Sequence, residues 1–89
     1  MILPEHNEAF EKFVNTVKGN SVLSPETTTL IFLGAAMAIR CHPCAERFIA
    51  QAKDLGLSDE QMGTAAAIAM CVRAGSTRAM AMEIAGMEP

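Results

Sequence analysis

Residues Leu30 to Ile39 are apolar without a break and carry Gly34, Ala35, Ala36 and Ala38 among them. A helix that is apolar on every side must be covered on every side, and its small residues let neighbouring backbones approach closely. Arg40 and Cys41 end the run well short of the ~18 to 20 residues that a membrane span requires. The stretch therefore reads as the most buried helix of a soluble, helical domain. Ser24 is its N-cap, with Pro25 at the first helical position and Glu26 against the positive end of the dipole.

The flanking sequence repeats the helical signal. Phe10, Phe13, Val14 and Val17 share one face of an opening helix from Glu5 to Lys18, which Gly19-Asn20 ends by tolerating positive φ. A third helix starts at Pro43, carries Phe48, Ile49, Ala52 and Leu55, and stops at Gly56 with Leu57 folding back. Ser58-Asp59-Glu60-Gln61 has the capping-box pattern and opens a fourth helix to about Ala74. Gly75-Ser76 reads as an interruption before a short last helix bearing Met80, Ile84 and Met87. No segment alternates with period two. The expectation is an all-α, compact domain of about five helices spanning residues 1–89.

A chain of 89 residues that is 51% hydrophobic, with no Trp or Tyr and only 4 Phe, carries its apolar content on Ala, Met, Leu and Ile. So small a domain buries little of its surface alone, so a homo-oligomer is expected. The net charge of −3 and the lack of a basic run exclude nucleic acid as a partner. The start, Met1 to His6, has neither a basic region nor a hydrophobic core of the export type, and no membrane partner is expected. Three cysteines suit a reducing, cytoplasmic setting better than a secreted disulfide framework.

Chemistry concentrates in Cys41-His42-Pro43-Cys44. Thiols at this spacing can cycle between dithiol and disulfide within one turn. Pro43 disfavours the α region for His42 and suits the start of a helix, which puts Cys44 in its first turn. Free N–H groups and the helix dipole there favour a thiolate, with Arg40 and Arg47 adding positive charge. Cys44 is the expected nucleophile, Cys41 its resolving partner, and His42 the candidate proton donor. Cys71, among Ala69, Met70 and Val72, reads as a buried structural thiol, and His6 and Glu46 as solvated side chains.

The run Leu23 to Ile31, then Cys41-x-x-Cys44, Ala52, Leu55-Gly56-Leu57-Ser58 and Glu60, resembles the carboxymuconolactone decarboxylase superfamily, and within it the alkylhydroperoxidase-D-like branch. The resemblance, over about residues 21 to 86, implies an all-helical subunit, often in trimers or hexamers. It implies a site at which the second cysteine attacks a hydroperoxide, the first closes a disulfide, and a dithiol donor restores the pair without a cofactor. Many members hold a Glu and a His as a proton relay at the positions of Thr29 and Phe48. Neither residue serves as a general base near neutral pH. Disulfide exchange asks less of the site than peroxide cleavage, so a disulfide reductase or redox sensor is the alternative. A metal-binding or assembly module is a further one, with Cys41, Cys44 and His42, and with His6 or Cys71, as ligands.

Overall fold

The computed structural model describes residues 1–88. Four helices follow one another: α1 (Pro4–Lys18), α2 (Pro25–Ala38), α3 (His42–Asp54) and α4 (Asp59–Ile84). Among the described residues the helix count is four rather than five, because α4 runs through Gly75 and Ser76 without a break. Glycine inside a helix costs only about 1 kcal/mol relative to alanine, and the surrounding Ala, Met and Arg residues offset that.

The middle helix is central but is not covered on every side as expected: Ile31 and Ile39 are 56% and 75% exposed. α2 packs against α3 on one side and α4 on the other, while α1 leans lightly on α2. Thr28, Thr29, Leu33 and Ala36 of α2 are buried; α3 adds Phe48 and Ala52, and α4 adds Ala65 and Ala69. A Cβ built on Gly34 would lie 3.6 Å from the Ala65 carbonyl oxygen, which measures how closely α2 and α4 approach. The core is thin, and Leu33 is its one large side chain out of contact with water. The amphipathic stripe of α1 is largely uncovered: Val14 is half-buried, but Phe10 and Phe13 are 63% and 64% exposed.

Local capping sets the turns. At the end of α1, Gly19 keeps a negative φ of −87°, contrary to expectation. The side chain of Asn20 shapes that turn instead. Its Nδ2 donates to the Val17 carbonyl and to Thr28 Oγ1, and its Oδ1 accepts from the N–H groups of Val22 and Leu23. Ser24 caps α2 by accepting from the Thr27 N–H. Ser58 and Gln61 form the reciprocal capping box that opens α4. Gly56, at φ 78°, lets Leu57 donate its N–H back to the Ala52 carbonyl and bury its side chain.

The candidate redox site

The link between α2 and α3 is so short that one residue serves both helices. Cys41 donates its N–H to the Ala36 carbonyl, closing α2, and its own carbonyl accepts from the Ala45 N–H, opening α3. Arg40, immediately before it, donates to the Met37 carbonyl. These two bonds make a Schellman end in which Arg40 occupies the left-handed position at φ 62°. The equivalent positions after α3 and α4 are Gly56 and Gly86. A side chain in this conformation costs roughly 1–2 kcal/mol.

Helix α3 begins at His42, one residue before the expected start, with Cys41 as its N-cap and Pro43 at the second helical position. The missing proline N–H falls among groups that have no partner inside the helix anyway. Cys44 lies in the first turn as expected. Cys41 and Cys44 are joined by a disulfide, their Cα atoms 5.3 Å apart. Both are half-buried, whereas His42 is exposed.

The two sulfurs have different surroundings. Cys44 packs against the core formed by Leu33, Ala36, Phe48 and Ala65. Cys41 and His42 instead line a shallow pocket of about 250 Å3, together with Ala36, Met37, Arg40 and Ala45. Cys44 shares the turn with Cys41 but does not line this pocket. Arg40 stands at its edge, but Arg47 lines a separate groove between α1 and α3 with Lys18 and Glu11.

Thr29 and Phe48 are both buried. Phe48 stacks on Phe32 with ring centroids 4.7 Å apart and planes 16° from parallel. Lys18 Nζ lies 5.4 Å from the centroid of Phe48, a cation–π contact that covers the stack. Position 48 is thus an apolar packing site. Phe32, Met37 and Lys18 were not identifiable as neighbours of the site from local sequence, because tertiary packing alone brings them there.

Cys71 is exposed, contrary to the expectation of a buried thiol. Helix α4 meets α2 through Ala65 and Ala69, and Cys71 lies two residues on, roughly 200° around the helix. His6 is exposed within α1. Among the described residues, no three His, Cys, Asp or Glu side chains come together as a metal site requires. None of the described helices is long and apolar enough to cross a membrane.

Comparison with known proteins places this geometry. The model of the carboxymuconolactone decarboxylase family matches residues 4–86. The chain belongs to that family. A crystal structure of a protein from Methanobacterium thermoautotrophicum has the same fold, with a TM-score of 0.88 and 33% sequence identity over 92% of each chain. No match is found among curated proteins. The family match takes in all four helices and both cysteines of the disulfide.

Proposed function

We propose that this family member is a two-cysteine thiol oxidoreductase of the alkylhydroperoxidase-D-like type, reducing a hydroperoxide or a disulfide through the Cys41–Cys44 pair. The observation that carries the reading is the disulfide itself, set across the N-cap and first turn of α3 beside an open pocket. In the reduced protein, Cys44 is the thiolate, because the first turn of α3 sets it at the positive end of the helix dipole. Attack on the distal oxygen of a hydroperoxide breaks the O–O bond and gives a Cys44 sulfenic acid. The leaving alkoxide takes a proton, for which His42 is the nearest donor. Cys41 then attacks the Cys44 sulfur, the disulfide forms and water departs. A dithiol restores both thiols.

A second reading, a disulfide reductase or sensor with little peroxidase activity, draws support from the Phe32–Phe48 stack. An apolar side chain at position 48 supplies no proton relay, and disulfide exchange needs none.

Thiol chemistry tests both. Unfolded, oxidised protein should titrate one thiol per chain, that of Cys71, and reduced protein three. After reduction, Cys44 should alkylate ahead of Cys41. The substitution His42→Ala should slow peroxide turnover by on the order of tenfold or more and disulfide exchange far less. Rapid alkylation of Cys41 with Cys44 unreactive would overturn the assignment of roles. Equal peroxide turnover in the variant would remove His42 from the mechanism.

A further inference from the structure

Helix α4 is longer than the fold that holds it. At a rise of about 1.5 Å per residue its 26 residues span about 39 Å, against about 21 Å for the 14 residues of α2. The two helices run in the same direction: Gly34 approaches Ala65, and Arg40 shares a depression with Arg73. α2 therefore ends level with Arg73, and residues 74–84 continue alone. None of these is buried, and only Ala79 and Met82 are half-buried. A helical stretch of this length without packing is marginal in water, and this one carries Met80, Met82 and Ile84.

Along their shared part, α2 and α4 border an apolar groove of about 480 Å3, lined in part by Ile31, Ala35 and Ala38 of α2 and by Ile68 and Val72 of α4. Among the described residues no charged side chain lines it, and its polar lining, Thr27, Gln61 and Thr64, lies toward the N-terminal ends of the two helices. A step of seven residues keeps a helix face turned the same way to within about 20°. From Ile68 that step gives Gly75 and then Met82, and from Val72 it gives Ala79. The face of α4 that borders the groove thus runs on through the unsupported turns, and these five positions hold no charge. It also reads nearly the same in both directions about Gly75. Ile68 and Met82 are equidistant from that residue, and Val72 and Ala79 are within one position of being so.

We infer that the groove is filled by α4 of a second copy of this chain, laid antiparallel across a two-fold axis at Gly75. The partner's Ala79 and Met82 then lie over Ile68, Val72 and the α2 wall, while Ala79 and Met82 of this copy enter the partner's groove. One contact made twice covers both grooves and both free helix ends. A seven-residue repeat suits helices crossing at about 20° and 8–10 Å apart, a spacing that the small residues at 75 and 79 permit and that still admits one methyl at position 75. Helix α1 is the poorer occupant. It borders α3, where Phe10 and Arg47 line one groove, so seating it between α2 and α4 joins unlike surfaces and leaves a groove open unless a ring closes. The area suffices. The chain exposes 6870 Å2, where a compact monomer of its mass exposes about 5,000 Å2, and a standard interface takes roughly 800 Å2 from each partner.

Disulfide trapping tests this in the full-length protein carrying Cys71→Ser, with the Cys41–Cys44 disulfide left in place. Position 75 is exposed and has open space for a Cβ, so Gly75→Cys keeps the fold and puts two thiols on the axis. Mild oxidation should convert most chains to a covalent dimer of twice the 9.5 kDa chain mass. Ala81→Cys, also exposed but turned roughly 120° around the helix from position 75, should stay a single chain. Ile68→Glu alters a side chain that is 59% exposed within one copy. It should retain the helical circular dichroism, halve the mass measured by light scattering at micromolar concentration, and speed amide exchange in residues 74–84 by on the order of tenfold or more. Trapping at Ala81→Cys alone, equal trapping at both positions, or none at either overturns the inference, as does a monomer mass for the unsubstituted protein. Dispersal by Phe10→Glu with Phe13→Glu, but not by Ile68→Glu, overturns it in favour of α1 as the occupant.

Discussion

Phe48 shows how one residue sets both stability and chemistry. It fills the core, stacks on Phe32, lies under Lys18 and follows Cys44 by one helical turn. Phe48→Ala removes that stack and leaves a cavity, which costs about 3–5 kcal/mol. In a core with one large, fully buried side chain, this is a major fraction of the folding free energy, so urea unfolding should show a folded baseline that is short or lost. The pair Thr29→Glu with Phe48→His places an acid and a base at the two buried positions. Peroxide consumption by the double variant should rise by on the order of 10²-fold, with disulfide exchange changed much less. A folded double variant with unaltered peroxide turnover would show that these positions do not limit the reaction. The CxxC pair and its helix start were legible in the sequence because both are local. The Phe32–Phe48 stack was not, since it depends on how α2 and α3 meet.

At the scale of helices, three glycines with similar surroundings in sequence behave differently. Gly56 and Gly86 end helices at positive φ, whereas Gly75 lies inside α4. Gly56 and Gly86 are followed by Leu57 and Met87, whose N–H groups reach back to the Ala52 and Met82 carbonyls. Gly75 is followed by Ser76 and Thr77, which offer no apolar side chain to fold back, and Thr77 Oγ1 bonds the Arg73 carbonyl along the helix. At Gly56 and Gly86 the large apolar residue behind the glycine completes the stop, and Gly75 has none. Gly75→Ala, which has open space for its Cβ, should therefore stabilise the fold by about 0.5–1 kcal/mol. Gly56→Ala should destabilise it by roughly 1–2 kcal/mol, because alanine must adopt the left-handed conformation. Urea unfolding at fixed protein concentration checks both signs, and a loss of stability in Gly75→Ala would contradict this account of α4.

The molecule as a whole is more extended than its length requires. Its radius of gyration is 16.3 Å, where a compact chain of this length would have about 12 Å. It exposes 6870 Å2, about 1,800 Å2 more than a compact monomer of its mass. The excess includes the α1 stripe of Phe10 and Phe13 and, on α4, Ile68, Met70, Val72 and Ile84. An apolar groove of about 480 Å3 between α2 and α4, lined in part by Ile31, Ala35, Ala38 and Ile68, lies open beside them. The excess is about twice the roughly 800 Å2 that each partner contributes to a standard protein interface. Self-association is the expected outcome. Light scattering at micromolar concentration should give a multiple of the 9.5 kDa chain mass, and a monomer mass would contradict it.

What the sequence determined by itself are the features completed within a few residues: the caps at Ser24 and Ser58, the stop at Gly56-Leu57, the apolar middle helix and the thiol pair at a helix start. The caps, the stop and the thiol pair are satisfied by neighbours three to five positions away, so the local pattern contains both partners. Tertiary structure decided the rest. It chose which side of the apolar α4 is covered, and so left Cys71 in water. It put Arg40 in the left-handed position at the end of α2 and set Phe48 of α3 on Phe32 of α2. It also brought Arg73 to a depression that it shares with Met37 and Arg40, 33 residues beyond Arg40 in sequence. These outcomes depend on which faces meet, and helices that are apolar around their girth do not encode that in their own periodicity.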